Sequence, residues 1–506
     1  MHTLAGLLAI LVAAPTPSPI PDATPSKRGV VNTTTQSLGG LKTFVDGGVR
    51  AESLTVLSNS SDAGFDVLTE ARENLTLYVD PTGNDSGPCV SSGTGACATL
   101  AGVINKLPNA TAFAITINIA TGTYAAPFDF QPRLLLARGA TLSVVGTLVA
   151  STLASGSASG TTTGSTGGTQ SGPCSVTDSA QTWTTNDLRG RMVTFASGAL
   201  SGQTHPITSN TSTSFTISNI IAPGTGIAYS IVEPGVVFNG GTTSARIANL
   251  IGPGTASFSN IHITRGAGQT GVMQAVVEAP NITFTNVKIT NHSSNSFTMQ
   301  VVGGRASFTR SIVQSVSSSA ALNFTSFGGV SNPTGSVTSS FVTATSNGGI
   351  VSTDWSGPSL SSVVVEGGGT TVGAVSLNGN SLRAFAASLW ITCTGGGIGW
   401  STGAVGSSIS STSLGSNGVL RIQNCGTGVL VQGPSYWVVN GITFDTVTTA
   451  ASVLRGGTID FLGGTPTFTG VTNELSLDGA ISTFAALAAL PAPQGITNVF
   501  GSKFIR

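Results

Sequence analysis

The chain has 506 residues, of which 20 are basic, 20 acidic and 67 glycine, so charged side chains make up 8%, against about a quarter in ordinary soluble proteins. A formal charge of zero, 40% hydrophobic residues and the lack of any basic patch exclude wholesale disorder, collagen and a phosphate-backbone footprint, so no nucleic-acid partner is expected. Gly, Ser, Thr, Val and Asn stand in for the Glu, Lys and Arg of helical domains, which predicts an all-β chain; its length exceeds the roughly 250 to 300 residues that one compact core holds, which predicts an elongated one.

Leu4 to Ala14 is an apolar run of 11 residues, short of the roughly 20 that span a bilayer, so no membrane span is expected. The run suits a secretory signal or a retained anchor; no Lys or Arg precedes it and Pro15 follows directly, which favours the anchor. Five prolines between Pro15 and Pro25 predict an extended tether. Residues 1–28 are therefore read as anchor and tether, and 29–76 as an attachment segment.

Strand-like runs at Phe113 to Ala120 and Leu134 to Val149 place the first coils of a stack in residues 77–150. Ser151 to Gly172 is almost wholly Ser, Thr, Gly and Ala and reads as a flexible linker. From Pro173 to Pro234 short alternating runs such as Met192 to Phe195 and Ser214 to Ser218 predict a small inserted β-domain, so linker and insertion together take 151–236.

Residues 237–472 repeat a short strand flanked by Asn, Ser or Gly, with rungs starting at Ile261, Val287, Ile312, Phe341, Val363, Leu389, Leu420 and Ile442. Spacings from 22 to 31 residues are too irregular for a leucine-rich solenoid and suit a right-handed parallel β-helix with loops of varied length; a β-sandwich is the alternative. Gly corners recur at Gly348-Gly349, Gly367 to Gly369, Gly395 to Gly397, and Gly426 with Gly428. Residues 473–506 are read as a cap, with a short helix from Ser482 to Leu490 stopped by Pro491.

Three segments resemble bacteriophage tail-fibre and tailspike proteins of the pectin-lyase-like β-helix kind. Asp22 to Val31, with Gln36, Gly40 and Lys42-Thr43-Phe44, is similar to a short repeat near the N-termini of tail-fibre proteins. Leu77 to Asp80, Gly83-Asn84-Asp85, Cys97 to Leu100 and Ile104 to Pro108 resemble the start of pectin-lyase-like helices, where a strand, a turn and a short helix precede the first coil. Trp183, Leu188-Arg189-Gly190, Gly202-Gln203, Ile207 and Asn210 resemble a small β-insertion in such phage proteins. The resemblance implies a homotrimeric virion appendage on the phage tail or head, attached to other virion proteins by its N-terminus, that contacts host-surface polysaccharide. Two readings stand beside it: a tailspike that depolymerises polysaccharide as hydrolase or lyase, and a secreted bacterial β-helix adhesin.

A glycosidase needs two carboxylates, about 5 to 5.5 Å apart when retaining and about 6.5 to 9.5 Å when inverting. The main stack offers only Glu278, Asp354, Glu366, Asp445 and Asp460. Glu366 and Asp445 share an offset from their rung starts and so a column, three coil steps or about 14 Å apart. That favours a non-enzymatic chain and leaves Asp354, Glu366 and Asp445 as weak catalytic candidates. Arg383 and Arg421 lack the acidic cluster of a Ca²⁺-dependent lyase, so no cofactor is expected. The four histidines, His2, His205, His262 and His292, are scattered and read as structural, with no metal expected. Trp355, Trp390, Trp400, Tyr436 and Trp437 are candidate glycan contacts, with core or seam packing as the competing reading. Cys89 and Cys97 enclose seven residues, a spacing that permits a disulfide in an extracellular particle. Cys393 and Cys425 fall at similar offsets on neighbouring rungs, where buried stacked thiols are the simpler account; Cys174 is left over.

Overall fold

A computed structural model of the chain describes residues between 70 and 505. It leaves out connecting stretches, the longer of which are 126–133, 240–245, 265–273, 326–333, 379–384, 411–418 and 485–495. The anchor run, the tether and the fibre-like repeat lie outside the described residues.

The described chain is a parallel β-helix of three-stranded coils. The coils build three parallel ladders, and in Ser359–Gly367 and Phe385–Cys393 one continuous strand runs through the first two. The first ladder runs through Leu75–Val79, Ala114–Ile119, Thr141–Val145, Thr255–Ser259, Asn281–Thr285 and Arg305–Thr309. The second runs through Gly122–Tyr124, Val236–Asn239, Ile261–Thr264, Lys288–Asn291, Ile312–Ser315 and Phe341–Ala344, and on to Thr467–Thr469. The third is a 14-stranded sheet from Glu70–Ala71 to Ile496–Val499. The stack opens on the strand Leu75–Val79 and the helix Leu100–Ile104, whose first turn is capped by Thr99 Oγ1 accepting from the Gly102 amide; Asp85 in turn accepts from both the Thr99 amide and its hydroxyl.

Alternation decides what faces inward. In Asn281–Thr285, Ile282 and Phe284 are buried and the residues between them are not. Because coils stack in register, like side chains form interior ladders: Phe258, Phe284 and Phe308 lie ring on ring at 5.3 and 4.8 Å. The corner between the first and second ladders is turned by one residue per coil in the left-handed region: Asn260 (φ 57°), Asn286 (φ 53°), Arg310 (φ 51°), Ser339 (φ 47°) and Ser362 (φ 55°). Asn tolerates that conformation best among residues with a side chain, and here it also builds a ladder: Asn286 Nδ2 donates to Asn260 Oδ1, and Asn260 Nδ2 to the Gly146 carbonyl.

At that corner in the third coil, between Thr141–Val145 and Val236–Asn239, the chain departs into an antiparallel sheet of eight strands, from Leu148–Ala150 to Ala228–Pro234. It has its own core, including Trp183, Leu188, Phe195, Phe215 and Tyr229. Inside that core Tyr229 Oη donates to Asp178 Oδ2 over 2.7 Å. The parallel ladders pair directly across the departure, Thr141–Val145 with Thr255–Ser259 and Gly122–Tyr124 with Val236–Asn239, so the stack begins before the antiparallel sheet and resumes after it.

Four expectations need correction. The segment read as a flexible linker holds the strands Ser159–Thr161 and Gly164–Thr166, which pair with Ala228–Pro234 and Cys174–Thr177; a Ser/Thr/Gly run is ordered once neighbouring strands satisfy its backbone. Cys393 and Cys425 form a disulfide, with Cα atoms 5.0 Å apart, where stacked thiols were the simpler account. The residues read as the start of a C-terminal helix include the strand Ile481–Phe484, paired with Thr458–Phe461; the rest of that run lies outside the described residues. The rung starts are also not one column: Ile312 pairs with Lys288 and not Val287, and Phe341 with Val364 and not Val363. Each slip of one residue moves a rung start from the inner face to the outer.

Candidate functional site

The outward faces of the second ladder form two columns. One runs His262, Lys288, Ile312, Phe341, Val364, Trp390, Arg421, Thr443. The other runs Thr264, Thr290, Gln314, Thr343, Glu366, Thr392, Gln423, Asp445. The first is apolar in its middle because the antiparallel sheet lies on it: Met192 and Val232 from that sheet form one buried cluster with Ile312, Phe341, Val364 and Trp390. Polar contacts flank this seam. Arg189 pairs with Glu366 and stands over the Phe341 ring at 5.6 Å, while Arg191 pairs with Glu233. Trp390 Nε1 donates to the Thr169 carbonyl over 3.0 Å.

Around Trp390 the antiparallel layer and the stack enclose a cleft of about 310 Å³. Its floor is Val364, Glu366, Trp390, Thr392, Arg421 and Gln423, and its roof Gly172, Pro173, Thr208, Ser209 and Thr216. Both layers therefore contribute groups. Gln423 Nε2 donates to Thr392 Oγ1 over 2.8 Å, which ties two floor rungs together. Burial pushes the Glu366 carboxyl up from its ordinary value, opposed by the neighbouring Arg189. Asp445 is held below its ordinary value, first by its hydrogen bond from Arg421.

The structure distributes the candidate residues as follows. Glu366 and Asp445 stand in one column, linked through Thr392 and Gln423, and each is bound to an arginine, Glu366 to Arg189 and Asp445 to Arg421. Trp390 is buried at the cleft floor. Trp400 points into the stack, 2% exposed and part of the main core, so it packs and does not contact a glycan; its place is fixed by pairing with Val375 and Val429, both inward. Tyr436 and Trp437 lie on the strand Tyr436–Val439. Asp354 and Trp355 lie outside the described residues. Cys89 and Cys97 form a disulfide with Cα atoms 5.0 Å apart, and Cys174 is a buried free thiol. His205 is buried and His262 bonds Thr290 Oγ1 at 2.9 Å; His2 and His292 are outside the described residues. Among the described residues no three His, Cys, Asp or Glu side chains gather as a metal site, and no helix is long and apolar enough to cross a membrane.

Sequence reasoning missed Arg189, Thr208, Ser209 and Thr216, which join the site only because the antiparallel sheet folds back over the stack. The available signal was the doubled apolar pairs Ile312-Val313, Phe341-Val342 and Trp390-Ile391, which mark a strand covered on both faces.

No protein-family model matches the chain, and no curated protein matches it. Similar solved structures include the tailspike protein of Pseudomonas phage LKA1, 13% identical, covering 74% of this chain and 72% of that one at a TM-score of 0.23. A glycoside hydrolase is 9% identical, covering 80% and 96% at 0.30. The tailspike of Acinetobacter baumannii phage AP22, solved with a capsular saccharide, is 9% identical, covering 77% and 71% at 0.19. Phage tailspikes are thus among the structures similar to this chain, and they are the group its sequence segments resemble.

Proposed function

We propose that the chain is the glycan-binding β-helix of a phage tailspike or tail fibre, a homotrimeric virion appendage attached through its N-terminal segment. The observation that carries the glycan reading is the composite cleft. Its hydroxyls (Thr208, Ser209, Thr216, Thr392), an amide (Gln423) and two ion-paired groups (Glu366, Arg421) surround Trp390. Such a lining offers many directional hydrogen bonds and little apolar area, which suits a polyhydroxylated ligand. The attachment and virion parts of the proposal rest on the sequence resemblance in the first 44 residues.

Binding without cleavage is the favoured chemistry. Glu366 and Asp445 are three strand spacings, about 14 Å, apart, outside the roughly 5 to 9.5 Å window of paired glycosidase acids. Each is also engaged by an arginine. Incubating the purified chain with surface polysaccharides from a panel of bacteria tests this. Saturable binding with no new reducing ends or unsaturated uronates is the expected result; cleavage products would overturn the non-enzymatic part, and no binding to any member would overturn the glycan reading. Light scattering at micromolar concentration tests the trimer.

A further inference from the structure

The cleft is charged at two levels of its floor, with opposite signs. Glu366 lies on Ser359–Gly367 and Arg421 on Val419–Gln423, and the strand Phe385–Cys393 runs between them. Their levels are therefore two strand spacings, about 10 Å, apart. Each is neutralised by a residue that does not line the cleft: Glu366 by Arg189 and Arg421 by Asp445. Neither is saturated. Glu366 receives Arg189 on Oε2, and Oε1 has no hydrogen bond among the described residues. Arg421 gives Nη2 to Asp445, its buried Nε has no hydrogen-bond partner, and Nη1 faces Gly172 in the roof. Between the two levels the floor offers only uncharged groups, Trp390, Ile391 and Thr392, and Gln423 beside Arg421 adds an amide.

We infer that the cleft takes a zwitterionic stretch of glycan, with an amino-sugar ammonium at Glu366 and an anionic substituent at Arg421. The inference rests on the glycan reading above and deepens it. An acidic chain without amines would set an anion beside the carboxylate of Glu366, and a purely basic one an ammonium beside Arg421; each juxtaposition is repulsive in a partly desolvated site. A neutral glycan forgoes both charge-assisted hydrogen bonds. The ion pairs from outside hold each charged group in place and keep the empty cleft near neutrality, so a ligand carrying both signs adds no net charge to it.

The test is an array of bacterial polysaccharide fragments in four sets, neutral, acidic, amino-bearing and zwitterionic, probed with the full chain. The zwitterionic set is also printed after N-acetylation and, for the carboxylate-bearing members, after carboxyl reduction. Each treatment is expected to weaken binding about tenfold, the worth of one charge-assisted hydrogen bond. Glu366→Gln should remove the sensitivity to N-acetylation and leave that to carboxyl reduction; Arg421→Gln should do the reverse. Arg189→Gln removes the same ion pair as Glu366→Gln but keeps the carboxylate, so it should keep the amine preference and shows whether loss of the pair alone disturbs the cleft. Binding that ignores charge in every set overturns this inference and leaves the glycan reading standing. Binding to no spot overturns both.

Discussion

Glu366 and Asp445 stand in one outward column of the second ladder, three coils apart, and each is held by an arginine from a different source: Arg189 from the turn before Met192–Phe195 in the antiparallel layer, and Arg421 from the coil next to Asp445. One acid thus ties the inserted sheet to the stack, and the other ties two coils together. The same column lines the cleft through Glu366, Thr392 and Gln423.

Trp390 belongs to both the seam and the cleft floor. It is 3% exposed, packs with Met192 and Val364, and donates to the Thr169 carbonyl. Trp390→Ala should cost about 3 to 5 kcal/mol, the range for a large aromatic lost from a core. Because the lost contacts hold the inserted sheet, limited proteolysis should cut within 148–234 before it cuts the coils. Cleavage that starts in the coils would contradict this account of the seam.

The interior phenylalanine ladder makes a sharper contrast. Phe284 is stacked on both sides and fully buried, whereas Thr283 beside it faces outward. Phe284→Ala should destabilise by about 3 to 5 kcal/mol, and Thr283→Ala should stay within about 0.5 kcal/mol of the parent. Denaturant midpoints of the two variants settle the comparison.

Two disulfides and one buried thiol predict a definite redox behaviour. The Cys393–Cys425 bond closes 32 residues and joins adjacent coils; Cys89–Cys97 closes 8. Loop-closure entropy assigns about 3 to 4 kcal/mol to the longer loop and about 2 to 3 to the shorter. Cys393→Ser with Cys425→Ser should therefore lower stability more than the matching change at Cys89 and Cys97. Maleimide labelling without reductant should find no reactive thiol in the folded chain and one, Cys174, after unfolding; three or five would show that a bond is absent.

His205 gives the chain an acid-sensitive seam. It is 1% exposed on the strand Thr204–Asn210, with Nε2 3.2 Å from Gln203 Oε1. Burial first, and the charge of Arg310 second, push its pKa down from 6.5 to about 4. The unfolded chain therefore binds a proton that the folded chain refuses between those values. Stability is complete above pH 6.5, falls through the window and has lost about 3 kcal/mol once pH drops below 4. Asp178 and Asp445, held below their ordinary values, add their own loss at still lower pH. Urea midpoints at pH 7 and 4.5 should differ strongly for the parent and far less for His205→Gln.

How far the sequence spoke for itself varies along the stack. Ile261, Leu420 and Ile442 were legible as rung starts because their strands alternate apolar and polar residues, with the apolar face toward the core. Ile312 and Phe341 were misplaced by one residue for the opposite reason. Their outward side chains are apolar too, since the antiparallel sheet covers them, and a strand buried on both faces carries no alternation from which to read its register. Ser159–Thr161 failed differently: nothing in a Gly/Ser/Thr run announces that Ala228–Pro234 waits to pair with it.

What the sequence alone determined is local: strands from alternation, corners from glycine and asparagine, and the shared column of Glu366 and Asp445 from equal offsets. Only the tertiary structure decided that the sheet departing at one corner would fold back across later coils, bury Trp390, enclose a cleft around it and bring Arg189 to Glu366. The physical reason is range. Periodicity records which way a side chain faces, but Thr208 and Gln423 lie 215 positions apart, and no spacing in the chain encodes a contact that depends on how two separately folded layers meet.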